Sequence, residues 1–282
     1  MCRLLAYACR RPRALADLLG AAEFDNFRQL ARLHHDGWGM SWVVEMDALG
    51  QPAPPGKGAE VVAGEGPLRV KRSTKTAYSD PEFVALAGQP LGRAGLVHLR
   101  WATLGLSVSE ANTHPFLADG WAFAHQGSID GPERLDDLLA PDWARRRRGT
   151  TDSERYFFLV LQAIEEEKGL VAGIQKAVND VAKTCGPASL NAILVSGSSV
   201  VFVHGREDLG PPSPEQMVAT AGAVPRDHLD NYLKIRYRQF DGDFVIASSG
   251  LDQEGWQEMP PCSVLHVDLG EMSMSLHGFT DS

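Results

Sequence analysis

The sequence has little cysteine and no long apolar run. Its four cysteines are Cys2, Cys9, Cys185 and Cys262. They form no CxxC pair and no regular spacing, so neither a disulfide framework nor a zinc site is indicated. No stretch approaches the roughly 18 apolar residues of a membrane span. No apolar segment precedes the arginines within 10–13, which argues against a signal or transit peptide. These absences predict a cytoplasmic protein that uses neither a membrane nor a metal.

An excess of positive charge is also missing. The 282 residues include 27 Lys and Arg against 36 Asp and Glu, for a net charge of −9. This balance argues against a nucleic-acid-binding surface. The one basic run, ARRRRG at 144–149, is interpreted as a solvated connection between helices, with regulation or substrate contact as the alternative. A chain of this length can bury a full core without cross-links, and we expect a single domain over 2–282.

The apolar patterning predicts strands, then a pair of helices, then strands again. The proline- and glycine-rich stretch GQPAPPGKG predicts a loop insertion at about 47–59. Helices are predicted over 13–33, 151–169 and 170–184. Strands are predicted at 2–9, 37–46, 59–63, 68–72, 93–101, 120–125, 189–196, 199–205, 243–249, 263–269 and 272–278. This order favours an α+β protein in which helices cover the sheets in layers.

A cysteine directly follows the initiator methionine. If Met1 is removed, Cys2 carries both a thiol and a free α-amine. The α-amine of an unperturbed peptide has a pKa of about 7.7–8.0. At neutral pH it can therefore take the thiol proton, directly or through one water. Cys2 is thus a candidate nucleophile that needs no histidine as its base, and chance placement is the alternative interpretation.

Three later stretches carry candidate polar groups. They are VHLRWATLG at 97–105, FAHQGSI at 123–129 and GTTDSE at 149–154. Each has a simpler interpretation: Arg100 as a surface ion-pair partner, Gln126 and Gly127 as a turn, and Asp152 as a helix cap. The stretch HHDG at 34–37 does not predict a metal site, because adjacent histidines on a strand point apart.

Taken together and in order, these stretches resemble a known family. MCR, HLRWAT, NTHPF, AHQG and TDSE resemble the motifs of class II glutamine amidotransferases, which are N-terminal nucleophile hydrolases. The stretches HHDGWG, LNAILVSG and 245–267 are similar to the stand-alone branch, which includes the γ-glutamyl hydrolase of the ergothioneine pathway. The resemblance implies a four-layer αββα sandwich with Cys2 at the end of a central strand. It implies no cofactor and no metal.

The resemblance also implies a role for each matching residue. Cys2 would attack the γ-carbonyl of a glutamine-like substrate and form a γ-glutamyl thioester that water resolves. Arg100 would bind the substrate α-carboxylate through its planar fork of donors. Asp152 would receive the α-ammonium. Trp101 and Thr103 fall at positions that wall the pocket.

Two positions depart from the family pattern. The family's oxyanion hole uses an asparagine amide and the backbone N–H of the next glycine. Gly127 keeps the glycine, but Gln126 stands at the asparagine position and adds one methylene. Losing an oxyanion donor costs about 10²–10³ in kcat in other acyl-transfer enzymes. The substitution by Gln126 could therefore mean a retuned or a slow enzyme, and the retuned enzyme is favoured because the other motif residues are kept. Leu104 replaces the histidine of many synthase-linked members and is hypothesised to open the leaving-group side or make it more apolar.

Three functions stay open at this point. The first is a hydrolase that removes γ-glutamyl groups from a small-molecule metabolite and releases glutamate and an amine. The second is a glutaminase subunit that passes ammonia to a separate enzyme partner, because the residues after Asp152 carry no recognisable synthase motif. The third is a non-catalytic relative that binds γ-glutamyl compounds or a protein partner. A homo-oligomer is compatible with each.

Overall fold

The computed structural model describes residues 2–47, 63–102, 107–211, 213–221 and 226–279. The strands are β1 (Arg3–Arg13), β2 (Trp38–Val43), β3 (Ala63–Glu65), β4 (Leu68–Ser73), β5 (Gly92–Leu99), β6 (Phe116–Ala118), β7 (Trp121–Gln126), β8 (Asn191–Ser196), β9 (Ser199–His204), β10 (Ile235–Phe240), β11 (Asp243–Ser248), β12 (Gln257–Glu258), β13 (Ser263–Asp268) and β14 (Ser273–Gly278). The α-helices are α1 (Leu15–Leu19), α2 (Ala21–Leu30), α3 (Pro81–Ala87), α4 (Pro141–Ala144), α5 (Asp152–Glu167), α6 (Leu170–Thr184), α7 (Pro214–Ala221) and α8 (Arg226–Asp230).

The strands form two sheets. The first has eight strands in the order β12-β10-β11-β1-β5-β2-β4-β3, and the second has six in the order β14-β13-β9-β8-β7-β6. Side chains alternate across β1, because successive residues of a strand point to opposite faces. Leu4, Ala6 and Ala8 pack between the sheets, where they join apolar residues of β7 and β8. Leu5 and Tyr7 pack on the opposite face.

Helices cover the outer face of each sheet. Helices α1, α2 and α3 pack on the outer face of the first sheet and α5 and α6 on that of the second. Between the second sheet and α5, the rings of Phe123 and Phe157 stack with centroids 5.0 Å apart. The layers are therefore α, β, β, α, as predicted. Among the described helices, none combines the length and the apolar character needed to cross a membrane.

The observed helices agree with the helices predicted from sequence where one face of the helix is continuously apolar. Helix α6 spans 170–184 as predicted, and α5 begins and ends within two residues of its prediction. The single helix predicted over 13–33 is wrong: β1 runs to Arg13, and Gly20, at φ 81°, separates α1 from α2. The sequence analysis also missed β10, whose half-buried arginines interrupt its apolar residues. Apart from Asp47, the loop insertion predicted at about 47–59 lies outside the described residues.

The basic run at 144–149 forms a solvent-facing connection between α4 and α5. Both terminal nitrogens of Arg146 contact the carboxylate of Asp119, at 2.6 and 2.7 Å. Arg147 pairs with Asp136. Such exposed pairs contribute little stability. They satisfy these charges locally, which favours the solvated connection over a substrate contact.

Several histidines are buried in the neutral form. Burial and the charge of Arg3 lower the pKa of His228 to about 2, and burial next to Arg100 lowers that of His98 to about 3. An unfolded histidine has a pKa of about 6.5. Between these values the unfolded chain binds more protons than the folded one. Stability is therefore complete above about pH 6.5 and falls as the pH drops towards the folded pKa.

We predict that His228→Asn makes the free energy of unfolding less dependent on pH. Between pH 6.5 and 5.5 a buried neutral histidine should account for about 1 kcal/mol of the lost stability, and the variant should lack that share. Urea unfolding at the two pH values measures it. His277→Asn, on the exposed strand β14, is the control and should keep the wild-type difference. An unchanged pH dependence in His228→Asn would contradict a neutral buried His228.

Candidate functional site

A narrow cleft lies at one end of the sandwich, where β1 begins and β5 and β7 end. It encloses about 320 Å³ of space, counting the part open to solvent. Five of the predicted site residues line it: Cys2, Arg100, Trp101, Gly127 and Asp152. They come from four separate stretches of the chain, so the tertiary fold brings the sequence motifs together. Thr103 and Leu104 lie outside the described residues.

Strand pairing places Cys2 next to Arg100. The register of β1 and β5 pairs Arg3 with Leu99, so Cys2 and Arg100 follow as opposite neighbours just beyond the ladder. Cys2 is 7% exposed, and its Sγ lies 3.7 Å from the carbonyl oxygen of Trp101. By strand alternation its side chain shares the inter-sheet face with Leu4. The thiol is thus buried at the inner end of the cleft.

Arg100 is a buried cation held by backbone oxygens. It is 3% exposed, and its Nη2 donates to the carbonyl of Ser107 at 3.2 Å. Its Nη1 lies 3.5 Å from the carbonyl of Asp36. Neither partner carries charge, so the surface ion pair considered from the sequence is not what holds Arg100. A buried cation whose partners among the described residues are neutral favours an anionic ligand, because such a ligand offsets the cost of desolvation.

Asp152 is fixed at the start of α5. Thr151, not Asp152, is the N-cap: its Oγ1 accepts from the N–H of Glu154 at 3.1 Å. The Asp152 Oδ2 accepts from the N–H of Ile129 at 2.9 Å, and its Oδ1 accepts from the N–H of Ser153 at 2.8 Å. The two backbone donors fix the carboxylate at the first turn of α5, where the N–H groups of the helix point towards it. The Asp152 carboxylate therefore has a fixed orientation in the cleft.

Gly127 lines the cleft, and its lack of a side chain is required there. A Cβ at this position would lie 1.8 Å from the carbonyl oxygen of Ser189. Gln126 differs: it is fully buried, and its Nε2 donates to the carbonyl of Tyr232 at 3.3 Å. The cleft lining does not include Gln126. The structure therefore brings the Gly127 backbone to the site but directs the Gln126 amide elsewhere.

The sequence analysis assigned no role to several residues of the cleft. Asn112 and His114 come from the NTHPF stretch, and His125 and Ser153 from AHQG and TDSE. Asn112 accepts from the N–H of Thr150 at 2.9 Å and thereby joins two loops of the cleft wall. All of these residues stand inside motifs quoted for the resemblance. Their roles depend on contacts between motifs, which the sequence does not show.

Asp36 supports the wall from the HHDG loop. Its Oδ2 accepts from the N–H of Ala102 at 2.8 Å, and its own N–H donates to the Arg100 carbonyl at 3.0 Å. This loop therefore fixes the backbone that carries Arg100 and Trp101. The structure gives HHDG a positioning part in the site.

The family model of glutamine amidotransferases class-II matches residues 1–280. The chain belongs to this family. Glutamine–fructose-6-phosphate aminotransferase of Pseudomonas syringae pv. tomato is 36% identical over 138 residues, 48% of this chain and 22% of that protein. The protein of the same name from Haemophilus influenzae is 33% identical over 108 residues, 36% of this chain and 17% of that protein. This chain therefore spans about a fifth of the length of the curated relatives it matches.

Two solved structures are similar to this chain in fold. A glutamine aminotransferase class-II domain protein from Silicibacter pomeroyi matches with TM-score 0.60 and 20% identity, over 99% of this chain and 100% of that chain. Glutamine phosphoribosylpyrophosphate amidotransferase from B. subtilis matches with TM-score 0.62 and 12% identity, over 99% of this chain and 50% of that chain. The predicted αββα fold of the N-terminal nucleophile hydrolases is confirmed.

We predict that Gly127→Ala destabilises the protein by about 1–3 kcal/mol, the usual cost of overpacking. The added methyl would overlap the Ser189 carbonyl and force β7 and the residues before β8 apart. Gly210→Ala is the control, because a Cβ there meets nothing within 4 Å. Urea unfolding of both variants measures the difference. Equal stability of the two variants would show that the close approach at Gly127 is absent in solution.

Proposed function

We propose that the protein hydrolyses the γ-glutamyl amide bond of glutamine or of a γ-glutamyl metabolite. The reaction would pass through a thioester on Cys2 and release glutamate together with ammonia or an amine. One observation carries the proposal: a single cleft holds a buried thiol, a guanidinium whose partners in the described part of the chain are backbone carbonyls, and an oriented carboxylate. Membership of the class-II family supports it.

The two charged groups fit the head group of an α-amino acid. The Arg100 guanidinium would bind the α-carboxylate with two parallel hydrogen bonds, and the Asp152 carboxylate would accept from the α-ammonium. The γ-carbonyl would then lie towards Cys2. Holding both ends of the head group converts the attack into a step between positioned atoms. This recognition favours γ-glutamyl compounds over simple amides.

The chemical steps follow from a processed N-terminus. The free α-amine of Cys2 takes the thiol proton, and the thiolate attacks the γ-carbonyl carbon. The backbone N–H of Gly127 is the candidate donor to the oxyanion. As the C–N bond breaks, the protonated α-amine gives its proton to the leaving amine. Water then attacks the thioester carbonyl, the α-amine takes one proton from it, and the thiol is restored as glutamate leaves.

The amine side of the substrate is the finer part of the proposal. A metabolite-trimming hydrolase should release glutamate quickly from bulky γ-glutamyl amides or γ-glutamylcysteine thioethers and slowly from glutamine. A glutaminase that supplies ammonia to a partner enzyme should turn over glutamine alone, and weakly. A panel of these substrates, assayed side by side for glutamate release, separates the two.

We predict that Cys2→Ala abolishes glutamate release while the fold is kept. Acid-quenched wild-type protein should carry a γ-glutamyl adduct, detected by intact mass, and added hydroxylamine should divert it to the γ-glutamyl hydroxamate. Cys185→Ala, a half-buried cysteine outside the cleft, is the control and should keep full activity. Glutamate release by Cys2→Ala at the wild-type rate would disprove the thioester route.

We predict that Asp152→Asn lowers kcat/KM for glutamine by about 10- to 100-fold, the value of a hydrogen bond to a charged group. The amide is neutral and no longer attracts the α-ammonium. Glutaramate, which lacks the α-amine, should be a poor substrate for the wild type and equally poor for the variant. A similar loss with both substrates would mean that Asp152 does not bind the ammonium.

A further inference from the structure

His125 has a defined tautomer. Its Nε2 lies 2.8 Å from the carbonyl oxygen of Ser189. A carbonyl can only accept, so Nε2 must carry a proton. Burial lowers the pKa of His125 despite the nearby charge of Asp152, which favours the neutral ring. In a neutral ring protonated at Nε2, the other nitrogen, Nδ1, carries a lone pair and acts only as an acceptor.

That lone pair faces the hydroxyl of Ser153. The Nδ1 of His125 lies 2.9 Å from Ser153 Oγ, and both side chains are buried. The same Oγ lies 3.3 Å from Oδ1 of Asp152. A hydroxyl has one proton, so it donates to one of these acceptors at a time. The shorter distance and the lone pair of His125 direct it to Nδ1.

Whether the Ser153 hydroxyl donates to His125 or to Asp152 decides how many lone pairs of Asp152 remain available to a ligand. While Ser153 donates to His125, each carboxylate oxygen of Asp152 has one backbone donor, from Ile129 or Ser153. Further lone pairs stay available on both oxygens. If the hydroxyl turned to Oδ1, it would occupy a lone pair of the carboxylate that could otherwise accept from the substrate ammonium.

We propose that His125 is a positioning and specificity-determining residue, whose Nδ1 lone pair holds the Ser153 hydroxyl away from Asp152. The carboxylate thereby stays open to the α-ammonium of the substrate. This inference rests on the proposed function, because it concerns the ammonium-binding part of that site. It makes the preference for a free α-amine depend on a histidine whose two ring nitrogens contact Ser153 and Ser189.

A double-variant experiment tests the proposal. His125→Leu removes the acceptor, so the hydroxyl turns to Asp152, and KM for glutamine should rise by about 5- to 10-fold, within the range of one ordinary hydrogen bond. The kcat value should change less. Adding Ser153→Ala removes the competing hydroxyl, and KM should return to within about 2-fold of that of Ser153→Ala alone. Glutaramate, without an α-amine, should show neither change.

Two further measurements keep the test independent of one variant. His125→Asn offers an amide oxygen near the place of Nδ1 and should keep KM low. In the wild type, ¹⁵N-histidine NMR should find His125 neutral, with its proton on Nε2. A protonated ring, or a proton on Nδ1, would overturn the proposal whatever the variants do.

The outcomes separate this inference from the proposed function. A wild-type protein that releases no glutamate from any γ-glutamyl amide overturns the proposed function and the inference with it. The inference alone is overturned if the wild type is active and His125→Leu raises KM, but adding Ser153→Ala does not lower that KM again. An equal rise of KM for glutamine and glutaramate also overturns it, because that pattern indicates general damage to the cleft. Restoration with glutamine only supports the proposal.

Discussion

The site depends first on the pairing of β1 with β5 at the centre of the larger sheet. Their register places Cys2 opposite Arg100 just beyond the last ladder pair, Arg3 with Leu99. A slip of one residue would turn Cys2 to the outer face of the sheet, because side chains alternate along a strand. Leu4 and Ala6 are locked into the inter-sheet core, and this packing holds the register. The buried core therefore sets the position of the thiol relative to the guanidinium.

A second constraint is one carbonyl that connects the two sheets near the cleft. The oxygen of Tyr232 accepts from Arg3 Nη1 at 3.0 Å, Ser249 Oγ at 3.2 Å and Gln126 Nε2 at 3.3 Å. Arg3 begins a strand of the first sheet and Gln126 ends a strand of the second. The Arg3 guanidinium also lies 3.8 Å from the centre of the Tyr232 ring. In this arrangement the Gln126 amide links the end of β7 to the Tyr232 carbonyl, which also binds Arg3 of the other sheet.

Much of the fold and part of the site could be predicted from the sequence. Apolar spacing revealed α5 and α6 because each buries one face on a sheet, and the ordered motifs indicated Cys2, Arg100, Gly127 and Asp152. The destination of the Gln126 amide could not be predicted, because Tyr232 is 106 residues away in sequence. The proton position on His125 depends likewise on Ser189, which is 64 residues away. Both of these features depend on tertiary contacts, whereas the order of the motifs is visible in the sequence itself.

The charges around the cleft also bear on the base that the thiol needs. In the proposed function, a zwitterionic head group bound between Arg100 and Asp152 would add no net charge. Arg3 stays beneath the site as a buried cation, and its charge, with that of Arg100, contributes to lowering the pKa of His98. Arg3 and Arg100 thus contribute a positive field where β1 begins and β5 ends. The α-amine of a processed Cys2 would begin the β1 strand that continues into Arg3, within that field. Arg3 and Arg100 are therefore the charged neighbours that the base of the proposed route would have along β1 and β5.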